Sequence, residues 1–203
     1  MAVNMAQKRA RKAQKRKLVV AQKRQAEAIE NSLPARVLRA ASAPIQHCFL
    51  TESLSEIGMG MLVLTRGVTR DYMAMSSFLL DTCCLGIKDV MFDRIDGEAF
   101  GDYIEAVNAD APMVDVDPAY ARKLLRDLAA WSQSIGFAPH RDFAATERIF
   151  GDISADASDA VFQFGRDGKP AYIPGPDDSP HLISQRVEQL RKHLGEDGSE
   201  IAA

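Results

Sequence analysis

This chain of 203 residues has little material for cross-linking, for base stacking or for membrane insertion. Cysteine occurs three times, at Cys48, Cys83 and Cys84, an odd number without framework spacing, and two of the three are vicinal and poorly placed to bridge each other. Reduced thiols in a reducing compartment follow, and with them a cytoplasmic location. No apolar stretch approaches the roughly 18 to 20 residues that a membrane span needs. The charged run within Met1 to Val20 leads into no apolar segment of the kind a secretory leader carries. Neither membrane contact nor secretion is expected. The first 30 residues also contain no Gly, Pro, Phe, Tyr or Trp, so this region offers no platform on which unpaired bases could stack.

What is present is an ordinary globular composition, 46% apolar and 26% charged, with an uneven distribution of charge. The net charge of −3 is the residue of two opposed parts. Residues 1–30 carry nine basic side chains (Lys8, Arg9, Arg11, Lys12, Lys15, Arg16, Lys17, Lys23 and Arg24) against Glu27 and Glu30, a net of +7. Residues 31–203 carry 16 basic and 26 acidic side chains, a net of −10.

The pattern divides into a basic N-terminal arm at 1–34, a single α+β domain at 35–196 and a frayed tail at 197–203. The arm is rich in Ala, Gln, Lys and Arg and is expected to be helical when stabilised, or disordered alone, because Leu18, Val19 and Val20 point in three directions and make no apolar stripe. Pro34 closes it. Strand-like runs follow at Ile45–Thr51, Met59–Thr65 and Tyr72–Leu80. The last two flank Arg66 to Asp71, which reads as a hairpin loop with Gly67 supplying a positive φ. A further apolar run, Cys83–Phe92, contains Gly86, where a bulge or turn is expected. The predicted fold is an antiparallel β meander with packed C-terminal helices.

Helices are predicted over Glu98–Val107, from the Asp117-Pro118 cap to before Gly136, over Arg141–Phe150 up to Gly151, and from Ser179-Pro180 to Gly195. Tyr120, Leu124, Leu128, Trp131 and Ile135 make one stripe on the second of these. A second hairpin, Val161–Gly165 with Ala171–Ile173, is expected around Asp167-Gly168.

Three segments could carry chemistry. The arm suits any polyanion, since a flexible run of Lys and Arg gains affinity by releasing condensed counterions without a fixed fold. The acidic remainder should repel phosphate unless it hides a local basic patch. The second segment is Phe78–Asp93, where Asp81, Lys88 and Asp89 interrupt an apolar run in which an unpaired charge is costly. Were the protein an enzyme, these would be its catalytic residues, with Asp81 and Asp89 holding a divalent cation as in a metal-dependent nuclease or phosphoesterase. That requires a chain reversal near Gly86, because eight residues of strand would part the carboxylates by roughly 26 Å. The plainer expectation is a Lys88–carboxylate pair fixing a turn. The third is a zinc set drawn from His47, Cys48, Asp81 and Cys83 or Cys84, which reaches three ligands at most and has no CxxC motif behind it. No cofactor and no bound metal are expected. His140 and His181 each neighbour a Pro, and no Ser or Cys nucleophile is paired with either.

The Leu80-Asp81 strand end, the Cys84-Leu85-Gly86-Ile87-Lys88-Asp89 string and the Lys/Arg-rich start from Lys8 to Arg24 resemble features of a bacterial family of uncharacterised proteins. Gly136-Phe137-Ala138-Pro139-His140 and Ile149-Phe150-Gly151-Asp152-Ile153 are similar to it as well. The resemblance implies one natural domain and no known activity. Taken together, the sequence points to a non-enzymatic nucleic-acid-associated protein, RNA or ribosome linked, tethered by its arm. The alternatives are the metal-dependent enzyme above and an interaction module whose arm binds an acidic protein surface.

Overall fold

The β-rich runs of the sequence become one sheet in the computed structural model, which describes residues 17–175, 178–195 and the backbone of 200–201. The chain divides into two units, Met1–Arg36 and Val37–Ala203. In the first unit, residues 17–30 form helix α1, all of whose side chains are exposed, Leu18 and Ile29 included. Helix α2, Leu33–Ala40, runs across the boundary and buries Val37.

In the second unit, β1 (Ile45–Thr51), β2 (Met59–Thr69), β3 (Tyr72–Asp81) and β4 (Gly86–Ile95) pair in sequence as an antiparallel meander. A three-residue strand, β5 (Met113–Asp115), joins the far side of β1, giving the order β4-β3-β2-β1-β5. The predicted α+β meander is therefore the observed fold, and β5 is an addition that three residues could not announce. A short helix α3, Leu54–Ile57, links β1 to β2.

Strand side chains alternate between faces, so a sheet buried on both sides needs nearly unbroken apolar strands. β3 meets that demand in part: eight of its ten residues are buried, five of them apolar, with Ser76, Ser77 and Asp81 the polar exceptions. On one face Val63, Met73 and Met75 pack with Phe100, Tyr103 and Ile104 of α4, which spans Gly97–Asp110. On the other, the fully buried Phe78 meets the rings of Phe143 and Phe150 at 6.3 and 6.4 Å between centroids. These two rings come from α6 (Phe143–Thr146) and the 3₁₀ turn Glu147–Phe150 that continues it. The single helix predicted over Arg141–Phe150 is thus two short pieces. The main helix, α5 (Pro118–Ser134), starts where predicted, with Asp117 accepting the N–H groups of Ala119 and Tyr120. It buries Leu124, Leu125 and Leu128.

Two loop readings are corrected. Arg66 to Asp71 is not a loop: β2 continues to Thr69 and the turn is made by Arg70 and Asp71. Gly67 has no positive φ but is required by close approach, since a Cβ there would meet the carbonyl oxygen of Tyr72 at 2.8 Å. Strand continuation carries Arg66 indoors to 6% exposure, which is tolerable because its guanidinium donates to the carbonyls of Ile149 (2.6 Å), Phe150 (2.7 Å) and Ala43 (2.5 Å). Likewise Cys83 to Leu85 lie in the β3–β4 turn, not in a strand. β4 begins at Gly86, whose φ of +72° and contact with Ser132 of α5 leave no room for a Cβ.

The second predicted hairpin survives only at its tip. Asp167 and Gly168 both take positive φ, and Arg166 and Lys169 exchange two backbone hydrogen bonds. Val161 to Phe164 form no ladder: ring contacts hold Phe162 on Tyr120 at 5.1 Å and Phe164 on Trp131 at 5.4 Å, and Val161 is exposed. The chain ends in β6 (Ala171–Tyr172), the Ser179-capped helix α7 (Pro180–Leu194) and β7 (Glu200–Ile201), which pairs in parallel with β6. Of the tail read as frayed, residues 197–199 and 202–203 lie outside the described residues, whereas 200–201 are paired.

The 3₁₀ turn is bound to α5 by Glu147, one of whose carboxylate oxygens accepts from Arg122 Nε (2.6 Å) and Arg126 Nε (2.9 Å). Arg122 reaches further, to the carbonyls of Gly151 and Ile153. Removing the acid from this nearly buried group strands the Arg122 charge, so Glu147→Ala is expected to cost about 3 kcal/mol. Denaturant unfolding checks this as a lower midpoint at unchanged slope, with Glu147→Gln falling between the two.

Candidate functional site

The β3–β4 hairpin carries the acidic residues that the sequence singles out, Asp81 at the end of one strand and Asp89 within the other. Asp81, the last residue of β3, is 3% exposed, and its Oδ1 accepts the backbone N–H groups of Cys83 and Cys84, each at 2.9 Å. This is the side-chain-to-backbone bonding by which Asp closes tight turns. The reversal that a shared metal ion would need is thus present, but the turn is fixed by backbone donors. The expected Lys88–carboxylate pair is not made: among the described residues no carboxylate lies within 4 Å of Lys88 Nζ.

Burial pushes the Asp81 carboxyl above its ordinary value, and the N–H groups of Cys84 and Leu85, the charge of Lys88 and the N–H of Cys83 offset only part of this. For an acid whose pKa is raised by folding, the ionised form costs stability. That cost is absent below the ordinary carboxylate pKa of about 3.9 and is fully present above the raised one. Asp81→Asn, which keeps an acceptor for both N–H groups, is therefore expected to be more stable than the parent at neutral pH. The advantage should vanish on acidification below about pH 4. Thermal unfolding across that range measures it, and a loss of stability independent of pH would show that the turn depends on the negative charge.

Asp89 has a different setting. It faces Leu79 across the hairpin, while Asp81 faces Gly86 and Leu80 faces Ile87, so Lys88 is the extra residue of a β-bulge. The Asp89 side chain is 68% exposed and lies 3.6 Å from Nε2 of His140, whose backbone N–H is bonded to the carbonyl of Ile87 at 2.9 Å. Asp81 is committed indoors and Asp89 stands in solvent. Among the described residues no three side chains of His, Cys, Asp and Glu are grouped to hold one ion.

The zinc set is dispersed for evident reasons. His47 stacks against both Phe49 (5.3 Å) and Phe100 (4.9 Å), and burial, with Arg70 nearby, lowers its pKa. Cys48 and Cys84 are buried free thiols pushed up to about 12 by desolvation first and by neighbouring carboxylates second, which makes them poor nucleophiles.

Beside the turn, Leu85, Ile87, Lys88, Phe137, Ala138, His140 and Arg186 line a cavity of about 260 Å³. Its three basic groups come from β4, from the segment after α5 and from α7, and Arg186 lies over the Phe137 ring with 5.5 Å to the centroid. The sequence singles out Lys88 as a candidate site residue and His140 only as a Pro-flanked histidine without a nucleophile, and it gives no signal at Arg186. His140 and Arg186 follow Lys88 by 52 and 98 positions, with no spacing that could connect them. A larger groove of about 490 Å³ lies elsewhere, bordered by Glu52, Ser55, Thr82, Tyr120, Gln163 and Asp167.

Of the arm cations, Lys17, Lys23 and Arg24 are on α1, where Lys23 pairs with Glu27 at 3.8 Å. Lys8, Arg9, Arg11, Lys12, Lys15 and Arg16 lie outside the described residues. Among the described residues no helix is long and apolar enough to cross a membrane. No family model, no curated protein and no solved structure matches the chain.

Proposed function

We propose that this is a nucleic-acid-associated protein without catalytic activity, attached to RNA, structured or ribosomal, through its basic arm, and working in the reducing cytoplasm. One observation carries the reading: a net of +7 in residues 1–30 against −10 in the remaining 173. Cationic segments gain affinity for phosphate backbones by counterion release, and an acidic remainder adds nothing to that attraction at long range. Readout of base sequence is not part of the proposal, because the arm has no aromatic side chains on which bases could stack. The three buried free thiols support a reducing compartment. Catalysis by Asp81, Lys88 and Asp89 draws no support from a carboxylate committed to backbone donors.

Filter retention of a structured RNA by the full chain tests the proposal against a variant with the nine arm cations replaced by Gln. Retention is expected for the parent alone, and equal retention by both would remove the arm from the mechanism. A pull-down that survives nuclease treatment would instead favour an acidic protein as the arm's partner.

A further inference from the structure

The geometry points to the cavity between β4, the segment after α5 and α7 as a binding site for a terminal phosphate group, held by Lys88, His140 and Arg186. This inference does not rest on the arm.

The bulge at Lys88 is the first ground. An extra residue in one strand of a pair re-aims a side chain, and here that side chain is a lysine turned to a cavity wall. The second ground is that no carboxylate among the described residues is seated directly on Lys88. Lys88 is half-buried, and although the charges of Asp81 and Asp178 act on it, no carboxylate among the described residues lies within 4 Å, so an arriving anion would supply a direct ion pair. The nearby acids are already engaged. Asp81 is bonded to Cys83 and Cys84, and Asp178 accepts from the Tyr172 hydroxyl (2.6 Å) and the Gly175 N–H (2.7 Å), which, with a smaller contribution from the Lys88 and Arg186 charges, hold its carboxyl below the ordinary value. Asp89 sits against His140 at 3.6 Å and is mostly in solvent.

The third ground is shape. Arg186, spread over the Phe137 ring, presents a planar fork of donors, the geometry that suits oxyanions. A phosphomonoester carries roughly −1.5 to −2 charges at neutral pH and three acceptor oxygens, which answers a triad of basic groups better than a single carboxylate does. A volume of about 260 Å³ admits that group and a short stub of carbon, and Leu85, Ile87 and Phe137 supply an apolar wall for the stub. The source of the phosphate is either a small phosphorylated compound or the phosphorylated end of a nucleic acid.

Calorimetric titration of the full chain with inorganic phosphate and with glycerol phosphate tests the site. Saturable binding is expected below about 10 mM, weakened at least tenfold in Lys88→Gln and in Arg186→Gln, and unchanged when the nine arm cations are Gln. Circular dichroism would establish that each variant is folded. In the arm-neutralised chain, preference for a 5′-phosphorylated over a 5′-hydroxyl oligonucleotide would identify a nucleic-acid end as the source. Glycerol phosphate binding without that preference would identify a small compound. Absence of saturable binding up to about 10 mM, or binding retained in both point variants, would overturn the site while leaving the arm proposal standing.

Discussion

Between about 50 and 200 mM salt, the affinity of the full chain for a structured RNA is expected to fall by roughly a thousandfold. The estimate assumes that about six of the nine arm cations neutralise a phosphate, each releasing most of one condensed counterion. The slope of log affinity against log salt counts those contacts directly. Halving the arm charge should therefore halve the slope, whichever residues are chosen. A fixed site with aimed donors would behave otherwise, because single substitutions would then differ sharply from one another. A slope near zero in the parent would exclude the arm as the source of affinity, and a steep slope that persists in the arm-neutralised variant would move the contact to the remainder of the chain.

Arg66→Ala is expected to be the most damaging single change in the second unit, at about 4 kcal/mol. Its guanidinium ties β2 to two carbonyls of the 3₁₀ turn and to one at Ala43, just before β1. Removing it takes the side-chain donor from all three oxygens, leaving Phe150 with only the longer bond from the Ile153 N–H (3.3 Å), and opens a cavity as large as the side chain. Lysine would restore the charge but places a single point donor where a planar fork is matched to separate acceptors, so Arg66→Lys should recover less than half of the loss. A shift of the urea midpoint reads both variants, and an unchanged midpoint for Arg66→Ala would show that water replaces the guanidinium at little cost. The arm contributes nothing to this result, so the two experiments are independent.

What could be read from the sequence was what depends on neighbours in the chain. The Asp117-Pro118 start and the apolar period after it mark α5 because capping and amphipathicity are local, and Ser179-Pro180 marks α7 for the same reason. β1 is found at its predicted limits, Ile45–Thr51. Arg66 defeated that approach. A charged residue before Gly67 resembles loop chemistry, and the carbonyls that make its burial tolerable at Ile149 and Phe150 arrive more than 80 positions later. Val161 to Phe164 misled in the opposite sense, since their alternation is that of a strand while their stabilisation is aromatic. The candidate site shows the same division. Asp81, Lys88 and Asp89 were conspicuous as charges within an apolar run, yet their separate roles depend on the Cys83 and Cys84 amides, on a one-residue bulge and on His140.

The sheet also bears on how copies of this protein behave at high concentration. Among the described residues β4 pairs with a neighbouring strand on one flank only, and the other flank is a ten-residue border of the kind that can recruit a strand from another molecule and begin fibre growth. Its Lys88 kink, the His140 N–H seated on the Ile87 carbonyl, and the charges at Asp89, Asp93 and Arg94 all spoil it as a template. At the opposite border β5 is only three residues long, too short to offer much purchase. Resistance to polymerisation is thus written into both margins of the meander.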